Sequence, residues 1–151
     1  MTERLRVFAL FALLSSVCGC GALDNCPDSE KPKEITHGLS NKDTLTYESA
    51  PWDALDRFPP KSQLWFKHDL GVVPLEPKAF LSFSEHGTNN ALGGSVTETA
   101  GNQTLFDCVD AHYIVVRNDT CEPSFYIKIV SIGASLNDDE DRLDACGEMP
   151  R

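Results

Sequence analysis

The chain has too few basic residues to bind nucleic acid by charge. It carries 13 Lys and Arg against 23 Asp and Glu, a formal net charge of −10, and opposing phosphates would repel it. Anionic lipid headgroups are excluded as an electrostatic surface for the same reason. It also lacks a long apolar run: Val7 to Leu14 is the longest, well short of the ~20 residues that span a bilayer. No Cys-x-x-Cys pair is present, which argues against a redox or structural zinc role, and no Gly-x-Ser-x-Gly segment is present, which argues against a hydrolase elbow. Sustained 3.6-residue apolar periodicity is missing throughout, so long amphipathic helices are not expected.

The first residues have the layout of an export leader. Glu3, Arg4 and Arg6 give a short segment of net positive charge, and Val7-Phe8-Ala9-Leu10-Phe11-Ala12-Leu13-Leu14 follows as an apolar core. Behind it stands Val17-Cys18-Gly19-Cys20. This segment resembles the lipobox of bacterial lipoproteins, with Cys18 at a position where that family more often has Ala or Ser. The resemblance implies cleavage after Gly19 and acylation of Cys20 by a thioether diacylglycerol and an amide-linked third chain. Each buried acyl carbon contributes ~0.8 kcal/mol, so several chains anchor stably where one is marginal. Gly21 stands where an Asp would resemble an inner-membrane retention signal, and the expectation is therefore an outer-membrane lipoprotein whose membrane partner is reached through Cys20.

Taking residues 1–19 from the 151 leaves 132, enough for one domain with its own core. The remainder holds 11 basic and 22 acidic residues once Glu3, Arg4 and Arg6 are removed. With Cys18 discarded and Cys20 acylated, Cys26, Cys108, Cys121 and Cys146 remain, an even set in an oxidising compartment, which predicts two disulfides. If Cys108 lies near the turn between two strands and Cys121 follows the far end of the second, those two are beyond the ~7 Å that a disulfide bridges. Each bridge is then expected to tie a terminal segment, through Cys26 or Cys146, to the body.

Residues 20–43 are rich in Asp, Glu, Lys, Pro, Ser and Asn and read as a flexible tether. From Thr44 the texture changes to short alternating runs: Thr44–Tyr47, Gln63–Lys67, Lys78–Phe83, Ser95–Thr99, Thr104–Val109, His112–Val116 and Ser124–Val130. Pro59-Pro60, Gly71, Pro74, Gly87, Gly93-Gly94, Gly101-Asn102 and Asn118-Asp119 separate them as turn signals. The fold expected is all-β, an antiparallel, jelly-roll-like β-sandwich over residues 44–132, followed by an acidic tail over 133–151. In the last strand Phe125, Ile127 and Ile129 share a face and should point into the core, opposite Tyr126, Lys128 and Val130. The segment Phe66-Lys67-His68-Asp69-Leu70-Gly71-Val72-Val73-Pro74 is similar to the strand, His-x-Leu-Gly turn and Pro of tail-fibre and lectin-like sandwich modules.

Candidate chemistry is sparse. His37, His68, His86 and His112 remain after the leader, and Asp69, Glu85 and Asp110 lie near three of them, but their spacings fit no zinc template. Ser82, Ser84 and His86 are close in sequence without an accompanying oxyanion loop. Asn137, Asp139, Asp141 and Glu148 fall at calcium-loop positions one, three, five and twelve, yet Arg142 occupies the sixth position, where a sharp turn needs Gly; a solvated tail is the expected reading. Asn102-Gln103-Thr104 and Asn118-Asp119-Thr120 read as turns. Trp52, Trp65 and Tyr47 could form an aromatic platform for a sugar ring, but Trp65 alternates with apolar neighbours inside a strand and is expected to pack in the core. Trp52, in the loop Ala50-Pro51-Trp52-Asp53, is the candidate ligand contact, weighed against a staple that holds this loop on the sandwich. No catalytic residue, metal or cofactor is assigned. The expected role is a non-enzymatic binding or assembly module for an envelope protein or glycan, with a small envelope hydrolase as the alternative.

Overall fold

In a computed structural model, residues 26–99, 101, 103–133 and 144–150 are described. The leader, Cys20, Asn102 and the acidic stretch from Asn137 to Asp141 lie outside the described residues.

The seven alternating runs become seven strands, and three shorter strands join them. In chain order these are β1 (Lys33–Ile35), β2 (Leu39–Asn41), β3 (Thr46–Glu48), β4 (Asp56–Arg57), β5 (Gln63–Lys67), β6 (Lys78–Ser82), β7 (Thr97–Glu98), β8 (Leu105–Val109), β9 (Tyr113–Arg117) and β10 (Tyr126–Ile132). The only helix among the described residues is one 3₁₀ turn, Asn90–Leu92. A four-stranded sheet has the order β1-β5-β9-β8, and a six-stranded sheet has the order β2-β3-β10-β6-β7, with β4 also on β10. All pairings are antiparallel except β1 with β5, which run parallel.

Period-two alternation builds the core. Leu64 and Phe66 of β5, Ile114 and Val116 of β9, Ala79 and Leu81 of β6, and Ile127 and Ile129 of β10 point inward and meet Tyr47, Phe58, Leu70 and Phe125. Fully burying side chains of this size contributes ~1.5–3 kcal/mol each. Phe125, Ile127 and Ile129 face the core, as the alternation requires. Trp65 is also buried, but between Leu64 and Phe66 it must face away from the core; there it meets Tyr113 edge-on at 5.6 Å and donates from its indole N–H to Gln63 at 2.9 Å.

The tether expected over residues 20–43 is corrected from Cys26 onward. Ile35 pairs with Phe66 in register and is buried, and Ser40 of β2 pairs with Tyr47. One inward side chain and edge hydrogen bonds suffice to hold β1, so the polar composition around it does not release the strand. The segment between β1 and β2 crosses from one sheet to the other over the ring of Tyr47. Gly38 permits this: a Cβ there would stand 2.5 Å from both Cε2 and the hydroxyl of Tyr47.

The two disulfides join Cys26 to Cys121 and Cys108 to Cys146, with Cα separations of 4.8 and 5.5 Å. Cys108 is near the β8–β9 turn and Cys121 lies beyond the far end of β9, so the two bridges sit at opposite ends of that strand. Each ties a terminal segment to the body. Cys108 is opposite Val115 in register, so its bridge hangs the segment around Cys146 on the outer face of the four-stranded sheet.

Candidate functional site

The outer face of β10 explains the loop that carries Trp52. Tyr126, Lys128 and Val130 point away from the core, and a lysine there would ordinarily be solvated. Lys128 is instead fully buried. Its ammonium donates to Glu48 Oε2 at 2.6 Å and to the carbonyl of Ala50, and it lies 4.7 Å from the centroid of the Trp52 indole. Trp52 also meets Phe80 edge-on at 5.1 Å. The carbonyl of Trp52 accepts the backbone N–H of Thr88 at 2.7 Å and its hydroxyl at 3.2 Å, which fixes the loop at a second point. Trp52 nevertheless remains 37% exposed.

Beside this loop opens a groove of about 340 Å³ lined by His37, Leu39, Glu48, Ser49, Ala50 and Pro51. One wall is apolar, from the exposed Leu39; the Glu48 carboxylate is half exposed above Lys128. At its end His37 Nε2 pairs with Asp56 Oδ1 at 3.0 Å, the histidine more than half exposed and the aspartate mostly buried. Burial pushes the Asp56 carboxyl above the usual range, with His37 and then Lys33 pulling the other way. Among the described residues, neither Asp56 Oδ2 nor the Tyr47 hydroxyl finds a partner, and burial followed by the Asp56 charge raises the phenol well above its ordinary value. The sequence hides this pairing because His37 lies in the loop between β1 and β2 and Asp56 on the two-residue β4, neither of which shows alternation.

The remaining candidates do not converge. His68 is buried and has both ring nitrogens engaged: Nδ1 accepts the Leu70 backbone N–H at 3.2 Å, and Nε2 donates to the Asp110 carbonyl at 3.0 Å. That pattern defines the neutral imidazole, and burial lowers its pKa further. Asp110 is equally committed, its carboxylate accepting the backbone N–H groups of His112, Tyr113 and Cys146. Asp69 is exposed, 3.5 Å from Lys67 and 3.9 Å from His112, which also lies 3.4 Å from Asp144. Among the described residues, His86 has Glu85, at 3.8 Å, as its ionic neighbour. The hydroxyls of Ser82 and Ser84 accept the backbone N–H groups of Ser84 and His86, forming a turn.

Cys108, Asp110 and Cys146 place three potential metal-ligating atoms within 4.8 Å of one another, but the two sulfurs are bonded together and the carboxylate is filled. Asn118 is buried, donating to the Phe58 carbonyl and accepting from Thr120, which is the turn role its sequence suggested. Glu148 is exposed. No family model, curated protein or solved structure matches this chain.

Proposed function

We propose that the chain is a lipid-anchored cell-envelope lipoprotein of the outer membrane, held by acyl groups on Cys20, that acts as a non-enzymatic binding or assembly module. The observation carrying the binding role is the half-exposed Trp52, clamped by Lys128 and Phe80 beside the groove of His37, Leu39 and Glu48. A fixed aromatic face next to a carboxylate and an imidazole suits a sugar ring, whose C–H groups stack on the indole while its hydroxyls meet the polar rim. The alternative, a small hydrolase, draws little support from His68, Ser82 and Ser84, whose polar atoms are occupied by backbone groups.

The test uses the full chain in detergent, titrated with soluble N-acetylated oligosaccharides from the cell wall. A saturable change in tryptophan fluorescence that Trp52→Ala abolishes carries the glycan reading. No change, together with photocrosslinking from position 52 to one envelope protein, overturns it in favour of an assembly role. For the anchor, Cys20→Ser should leave the precursor unprocessed or the product free of membranes.

A further inference from the structure

Between Cys20 and the Cys26–Cys121 disulfide there are only six residue steps, and this sets which way the domain faces. Fully extended, six steps reach roughly 20–22 Å at about 3.3–3.6 Å each. Cys121 lies at the end of the sandwich where β9 finishes and β10 begins. The same end carries Ser62 and Phe58, bonded to Asn118 and Phe125, and the Lys61–Asp119 ion pair. It also presents Phe83, 70% exposed, its ring 5.1 Å from that of Phe125. The opposite end holds Gly133, Leu75, His112 and the Cys108–Cys146 bridge. The seven residues of β10 make six steps, which alone separate the ends by roughly 20 Å at about 3.3 Å each. To rest its opposite end on a bilayer, the domain would have to hold the chain from Cys20 at about its full extension, whereas the end bearing Cys121 lies against the bilayer without any such stretching.

We infer that the end bearing Cys121 and Phe83 is a membrane-apposed surface that meets phospholipid, leaving the opposite end and the long faces of the sandwich, the Trp52 groove among them, turned towards other partners. The inference rests on Cys20 being the acylated residue. Its contact is apolar rather than electrostatic: Phe83 is a large exposed side chain at the end that carries Cys121, and Lys61 is already neutralised by Asp119. An interfacial aromatic ring fits the headgroup boundary, where an apolar body and wet surroundings coexist.

The test reconstitutes the full acylated chain into phosphatidylethanolamine–phosphatidylglycerol vesicles, with p-benzoylphenylalanine at Phe83 in one sample and at Leu75 in another. After illumination, lipid adducts are counted by mass, and intact disulfides certify the fold. Adducts should form several-fold more at position 83. A glycine–serine spacer of 20 residues inserted between Cys20 and Cys26 should level the two positions, because an end-to-end distance of about 5–6 Å times the square root of its length frees the domain to turn. Equal adducts without the spacer, or more at position 75, overturn the inference while leaving the anchor intact. Loss of acyl mass on Cys20 in membrane-extracted protein overturns the anchor and this orientation together.

Discussion

The ammonium of Lys128 lies 4.7 Å from the centroid of the Trp52 ring and is paired with the half-exposed Glu48 carboxylate 2.6 Å away. This single cation joins β10, β3 and the Trp52 loop, so the proposed binding surface depends on a residue that never reaches solvent. Replacing it should disturb the loop before it disturbs the core. Lys128→Met should destabilise the domain by about 1–3 kcal/mol, since it removes charge-assisted hydrogen bonds and the contact with the indole. Urea unfolding measures the cost, and a red shift in tryptophan emission reports release of Trp52; a variant with unchanged emission would show that Phe80 alone holds the ring.

Crosslinking makes a larger contribution. The chain-entropy model assigns about 4 kcal/mol to a loop of the Cys108–Cys146 size and about 5 kcal/mol to the Cys26–Cys121 loop, their sequence separations being 38 and 95. Non-reducing peptide mapping should return these two pairs. Replacing both members of either pair by serine should lower the unfolding free energy by several kcal/mol, and finding Cys108 joined to Cys121 would contradict the described geometry.

Acid should weaken the fold through His68. Its pKa in the fold lies below the ordinary value because burial opposes charge, so the unfolded chain takes up the proton first. Stability from this group is intact above ~6.5, the unfolded value, and declines as the pH falls towards the lowered folded value. Asp56 works in the opposite sense, since its raised pKa favours the folded state as the carboxylate protonates, but in the more acidic range. Unfolding at pH 7.5 and 5.5 should show the loss, and His68→Gln should flatten it; an equal slope in the variant would assign the effect elsewhere.

Gly38 and Tyr47 should respond to one methyl group and one hydroxyl. Gly38→Ala puts a Cβ 2.5 Å from the Tyr47 ring and should cost about 1–3 kcal/mol as the β1–β2 crossover shifts. Tyr47→Phe, by contrast, deletes a buried hydroxyl without a partner among the described residues and should leave stability within about 1 kcal/mol of the parent or raise it. Thermal unfolding of both variants and the double variant tests the pair; a strongly destabilised Tyr47→Phe would mean that the hydroxyl is bonded in solution.

The strands legible in the sequence were those with three or more alternating residues. β5 appears over the same five residues that its alternation marks, and β10 shows its inward set of Phe125, Ile127 and Ile129. β1, β2 and β4 were not legible. β1 commits a single residue, Ile35, to the core, β2 is exposed throughout and β4 has two residues, and none of them sits in a longer alternating run as the equally short β3 and β7 do. Domain limits of 44–132 therefore leave out β1, β2 and one cysteine of each bridge. At the candidate site Trp52 could be selected from its loop, whereas Lys128 reads as an ordinary outward lysine; only the folding back of Ala50 and Trp52 shows why it is buried. Likewise His68 looked available until the Leu70 N–H and the Asp110 carbonyl accounted for both nitrogens.

The Cys26–Cys121 bridge also has a mechanical meaning. Tension applied through an anchored N-terminus would otherwise peel β1 from β5, one short parallel pairing at a time. With Cys26 covalently fastened beside the start of β10, the pull passes across the sulfurs into the central strand of the six-stranded sheet. Everything from Pro27 to Thr120, β1 included, then lies in a closed loop that carries little of the force, and the short parallel pairing of β1 with β5 is shielded from being unzipped.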